Sequence, residues 1–216
     1  MKETRFPWQT LLCYGWVYLC WGVWDKFLSD HVWILSAELT NLFELVIIKN
    51  LIWLLPAAVC VKMLRMPLRW PLKELLTKKT DYVQMVLAAC FVVVVVHSFW
   101  LVIGKGIALF NPLFCVWAIC AGITEEILFR GIILNAQLKM WKPITAIAAN
   151  SIMFLFIHYT HLPYSGSIME IWSLRGLVIA VMGAVFPVVT MKTQSLKMPI
   201  FMHTLWNFLV YIYGLN

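Results

Sequence analysis

Seven stretches of this chain are apolar for long enough to cross a bilayer, which takes about 20 residues of helix. They cover residues 8–24, 41–61, 82–104, 111–136, 144–160, 172–191 and 198–214. The first is the least hydrophobic. It is studded with Trp and Tyr and lacks a small-residue cleavage site, so it is expected to remain as a helix rather than be removed as a signal peptide. Residues 25–42 read as a loop, an interfacial helix or an early start of the second span. The one sizeable polar connection is residues 62–81, with Lys62, Arg65, Arg69, Lys73, Lys78 and Lys79 around Pro67 and Pro71. It reads as an amphipathic link on the cytoplasmic side.

Composition agrees with this pattern. The 216 residues are 62% hydrophobic and 12% charged, against about 25% charged in ordinary soluble domains, and the mean hydropathy is +0.84. The expected fold is all-α: a polytopic transmembrane helix bundle of about seven spans, one integral-membrane domain over residues 1–216. The net charge of +7 comes from cations in short loops, not from one basic face, so no nucleic-acid partner is expected. Alternating the spans puts Lys2, Arg5, the 62–79 cluster, Lys139, Lys142, Lys192 and Lys197 on one side, twelve of the seventeen Lys and Arg. Lys26, Lys105 and Arg175 fall on the other side, while Lys49 and Arg130 lie within spans. The positive-inside rule then gives a multi-pass protein with its N-terminus in the cytoplasm and its C-terminus outside. Cys13, Cys20, Cys60, Cys90, Cys115 and Cys120 show no close CxxC pair and read as buried, reduced packing residues.

Function must therefore come from polar groups inside the helices, where an ionisable side chain costs roughly 2.5–3.5 kcal/mol to insert. The fourth span carries Glu125, Glu126 and Arg130 within six residues. Neighbours at i and i+1 point about 100° apart on a helix, so the two carboxylates serve different faces. Glu126 and Arg130, at i and i+4 in the favourable acid-before-base order, are expected to pair. Glu125 is left without a partner on its own helix, an environment that suits a general acid or base. The fifth span adds His158 with Phe154 one turn earlier, placed to pack under the imidazole. The seventh adds His203 and Asn207 at i and i+4, two donors on one face able to hold an oxyanion. His97 reads as an interhelical hydrogen-bonding group and His161 as a loop or interface residue.

The spacings EExxxR (Glu125, Glu126, Arg130), FxxxH (Phe154, His158) and HxxxN (His203, Asn207) are the three motifs of the CAAX protease and bacteriocin-processing family, also called Abi, of intramembrane endopeptidases. The chain resembles that family over roughly residues 82–214. The resemblance implies hydrolysis of a peptide bond in a membrane-associated protein or peptide precursor. It implies Glu125 and His158 as activators of water, and His203 and Asn207 as the oxyanion site, with Glu126, Arg130 and Phe154 in support. Two His and one Glu could also ligate zinc, but a zinc enzyme needs a separate general base, so the expectation is a metal-free, glutamate-dependent reaction with no cofactor. Precursor or C-terminal processing in a prokaryotic cell membrane ranks above CAAX cleavage. A non-catalytic immunity or regulatory partner, and a small proton-coupled transporter, are the competing classes. The transporter is disfavoured by the lack of repeated halves.

Depth along the helices tests this constellation. At about 1.5 Å per residue, Glu125 lies roughly 18 Å and His158 roughly 20 Å from the cytoplasmic ends of their spans, whereas His203 is only about 8 Å in. The depths match only if the last helix starts earlier than Lys197, or if the fourth and fifth helices run on beyond the membrane. The site is expected to open toward the cytoplasmic half.

Overall fold

The computed structural model describes residues 8–29, 37–103, 112–160 and 167–214. Lys2, Arg5, Lys105 and His161 lie outside the described residues. Helices are α1 (Trp8–Val23), α2 (Ala37–Phe43), α3 (Lys49–Lys62), α4 (Leu72–Thr77), α5 (Tyr82–Ile103), α6 (Pro112–Glu126), α7 (Asn135–Met140), α8 (Pro143–Ile157), α9 (Leu174–Thr193) and α10 (Lys197–Ile212). Three π-helical turns, Trp24–Leu28, Glu44–Ile48 and Ile127–Leu134, extend α1, join α2 to α3 and join α6 to α7. There is no strand among the described residues. Each of the seven apolar stretches corresponds to one of these helical rods. Among the described residues, three rods, Glu44–Lys62, Pro112–Met140 and Arg175–Thr193, are both long and apolar enough to cross a membrane, and Tyr82–Ser98 and Pro143–Ile157 are apolar but shorter.

Local chemistry sets several boundaries. Pro143 opens α8, where a missing N–H costs nothing. Ser173 caps α9 by accepting a hydrogen bond from the Gly176 N–H at 3.2 Å, and Gln194 closes that helix in the left-handed region at φ 49°. Large apolar side chains such as Leu19, Leu51, Leu55, Val86, Ile144 and Leu177 are exposed around the bundle. A belt of that kind belongs against lipid. Cys90 stands on it, a departure from the expectation that all six cysteines are buried; Cys13 and Cys60 are buried, the other three are half-buried, and all six are free thiols. A lipid-facing thiol needs no partner, so an apolar surface holds it as readily as the core. His97 meets the Tyr213 hydroxyl at 3.3 Å, tying α5 to α10.

The basic connections interlock on one face. Leu196 N–H donates to the Leu75 carbonyl at 2.9 Å, Arg69 N–H to the Asn135 carbonyl at 3.2 Å, and Lys78 Nζ to Gln194 Oε1 at 3.3 Å. Leu196 also packs its Cδ1 against Gly131. The turn before α10 therefore sits level with Gly131 of the Pro112–Met140 rod, which runs nine residues further toward the basic face. Those nine residues, about 13 Å of helix, remove the disagreement in depth: the helix ends are not flush, and His203 meets the rod near Glu125.

A close helix approach lies just above. A Cβ on Gly122 would stand 2.6 Å from Thr204 Oγ1 and 3.2 Å from the Thr204 nitrogen, so the absent side chain is what lets α6 touch α10. Gly122→Val is expected to lower stability by about 1–3 kcal/mol through overpacking, read as a fall in the detergent-solubilised unfolding midpoint. A midpoint equal to wild type would refute the close approach.

Candidate active site

The site begins where α6 changes to π geometry. A π turn frees carbonyls that an α-helix would have used, and here buried amides meet them. Asn150 Nδ2 donates to the Phe129 carbonyl at 2.9 Å, and Asn135 Nδ2 to the Gly131 carbonyl at 3.0 Å. Glu125 and Glu126 stand at the last two positions of α6, immediately before the turn.

Their surroundings differ. Glu125 Oε1 accepts a hydrogen bond from Lys49 Nζ at 2.6 Å, and Lys49 is itself buried. Its other oxygen, Oε2, has no hydrogen-bond partner among the described residues and faces two imidazoles, His158 Nε2 at 3.6 Å and His203 Nε2 at 3.8 Å. Glu126 is fully buried, 3.1 Å from Arg130 Nη1, and accepts from His203 Nδ1 at 2.9 Å. The i, i+4 pair is thus present, but Glu126 is not turned wholly away from the site. The seventh predicted span comes close enough for one imidazole to touch both carboxylates, which the geometry of a single helix could not reveal.

The tautomers follow from the acceptors. His158 Nδ1 lies 2.7 Å from the Phe154 carbonyl, which can only accept, so Nδ1 carries a proton and Nε2 is the ring atom turned toward Glu125. His203 likewise donates from Nδ1 to Glu126, turning Nε2 inward. Phe154 packs edge-on to His158 at 4.8 Å between ring centroids and lies under the Arg130 guanidinium at 4.2 Å. It therefore contacts both the imidazole it was expected to support and the cation of the buried pair.

Lys49 is the residue that sequence reasoning missed as part of the site. Its ammonium lies over the Trp53 ring at 4.3 Å and beside Glu125, and the next residue, Asn50, accepts from Thr124 Oγ1 at 2.8 Å. The available signal was a lone lysine within an apolar span, a functional-site candidate by default. Its partner lies 76 residues away, beyond any local spacing rule.

Lys49, Glu125, His158, His203 and Asn207 line one cavity of about 500 Å³, walled by Trp21, Trp53, Trp117, Phe154 and Trp206. Its rim reaches Asp25, Thr160 and Arg175, at the end of the bundle opposite the basic connections. The rod carrying Glu125 extends toward the basic face, so the carboxylate is far from that end. Among the described residues, no group of three or more His, Cys, Asp or Glu is placed to hold a metal ion. The Lys49 ammonium beside Glu125 would repel a dication at that carboxylate.

Because Glu126 faces a fully buried guanidinium, Glu126→Gln is expected to cost about 3–5 kcal/mol of stability. Glu126→Gln with Arg130→Met should recover much of that loss in thermal unfolding. No recovery in the double variant would show that the pair is not what holds the site together.

Residues 107–209 match the family model described as Rce1-like, type II CAAX prenyl endopeptidase. No curated protein and no solved structure matches the chain. The matched stretch contains all seven motif residues, whereas Lys49 lies outside it. Residues 107–209 are therefore an Rce1-like domain of the CAAX protease and bacteriocin-processing family, a family of intramembrane proteases.

Proposed function

We propose that this chain is a metal-free intramembrane endopeptidase in which Glu125 is the general base. The observation that carries the reading is the free Oε2 of Glu125, held within 4 Å of the His158 and His203 Nε2 atoms while Lys49 anchors the other oxygen. A water between Glu125 Oε2 and His158 Nε2 can donate to both. It attacks the scissile carbonyl carbon as its proton passes to Glu125, and the carbonyl oxygen becomes the oxyanion. His203, protonated on both nitrogens, donates from Nδ1 to Glu126 and from Nε2 to that oxyanion, with the Asn207 amide as second donor. The intermediate collapses as the C–N bond breaks and Glu125 returns its proton to the leaving amine, giving a carboxylic acid and an amine.

When Glu125 takes up the proton, negative charge moves to the oxyanion inside the same cavity, where the Lys49 ammonium and the imidazolium still face it. Glu126 is poorly suited to serve as a separate base in a zinc mechanism, since its Oε1 already meets Arg130 and His203. The substrate class we favour is a membrane-associated protein or peptide precursor, cut at a leader or C-terminal segment.

The test reconstitutes the full chain in liposomes with internally quenched peptides, one farnesylated and ending in a CAAX sequence, others unprenylated, and locates the cut by mass spectrometry. Glu125→Gln and His158→Ala are expected to lower the rate by roughly 10²–10⁴. His203→Ala, Asn207→Ala and Lys49→Met should lower it by roughly 10²–10³. A chelator should leave the rate unchanged. Full activity in Glu125→Gln would defeat the glutamate mechanism, and loss on chelation restored by zinc would replace it with a metal-dependent one.

A further inference from the structure

We infer that the cavity opens on the non-cytoplasmic face of the membrane, so that the bond to be cut is presented from outside rather than from the cytoplasm. The inference rests on the protease reading above and narrows its substrate class. Two independent observations carry it. First, the connections bearing Lys62–Lys79, Lys139, Lys142, Lys192 and Lys197 are joined to one another by hydrogen bonds between Leu196 and Leu75 and between Arg69 and Asn135, and between Lys197 and Thr77. They form a single basic face, and an excess of Lys and Arg in short connections marks the cytoplasmic side.

Second, the cavity lining comes from the half of each helical rod away from the basic face, except for His203, which stands just short of the middle of α10. Lys49 and Trp53 lie in the first turns of α3, whose last residue, Lys62, starts the basic connection. Arg175 and Met182 lie in the first half of α9, whose end carries Lys192, and Trp206 and Val210 lie in the second half of α10, which begins at Lys197. The exposed rim residues Asp25 and Arg175 are where water and a peptide chain can enter. Between Glu125 and the basic face stand Phe129, Ile133 and Leu134, all fully buried, and no residue of the basic connections reaches the cavity.

The occupant follows from the lining. Five aromatic rings around the Lys49–Glu125 pair and two imidazoles suit a peptide with apolar side chains flanking the scissile bond. Entry from outside selects a segment already exported or exposed beyond the outer leaflet, such as the membrane-proximal part of an anchored or secreted precursor. A prenylated C-terminus held at the cytoplasmic leaflet would lie on the wrong side.

The test uses the full chain expressed in a bacterial plasma membrane, prepared as right-side-out and as inside-out vesicles. A membrane-impermeant maleimide should label Arg175→Cys and Asp25→Cys at least tenfold more in right-side-out vesicles, over the wild-type background, and Lys139→Cys at least tenfold more in inside-out ones. A water-soluble quenched peptide cut by the wild type should be cut at the outer face only. Labelling of both rim cysteines from the cytoplasmic side, or cleavage confined to inside-out vesicles, would overturn the inference. The labelling pattern reports the direction of the cavity whether or not any peptide is cut, so loss of the protease reading and loss of the orientation are separate results.

Discussion

Four formal charges buried in an apolar bundle constrain everything around them. Glu125 and Glu126 sit side by side at the end of α6, and each meets a cation, Lys49 from α3 and Arg130 from the following π turn. Alone, any of the four would be costly at such a depth. Paired, their formal charges cancel, and the pairing fixes positions. α3 cannot slide along α6 without uncovering Lys49, and α10 cannot move without pulling His203 from Glu126. Removal of one partner from such a pair is more damaging than the pair is stabilising, so the network acts as a registry device for the bundle.

The π turn Ile127–Leu134 and the glycines beside it make that registry usable for chemistry. Changing helical pitch directly after Glu126 sends Arg130 inward among Phe129, Phe154 and Phe186, where it occupies Glu126 and leaves Glu125 to the cavity. Gly122 brings α10 close enough for His203 to reach between the carboxylates. Asn150 and Asn135 satisfy carbonyls that the wider turn releases, and without them the distortion would leave buried polar groups unpaired. The outcome is a carboxylate with one oxygen anchored and the other aimed at two imidazoles.

The N-terminal helices are part of this arrangement rather than an appendage to it. The family match begins at residue 107, yet the cation on Glu125 comes from residue 49, and Trp21 and Trp53 wall the cavity. Tyr14 further ties α1 to α8 through the Met153 carbonyl at 2.9 Å.

The amino-acid sequence by itself determined what depends on composition and short spacing. Long apolar runs require helices, because a bilayer offers the backbone no other partner. The spacing of Glu126 and Arg130 requires an ion pair, because four residues are one helical turn, and the three motifs name the residues that gather at the cavity. Contacts between distant segments were settled only by the tertiary structure. The Lys49–Glu125 pair spans 76 residues and the His203–Glu126 contact 77, and neither leaves a local pattern. The level at which His203 meets the carboxylates was equally hidden, because span boundaries imply helices with flush ends. Packing instead sets α10 part-way along the Pro112–Met140 rod, and that offset brings His203 beside Glu125 and Glu126.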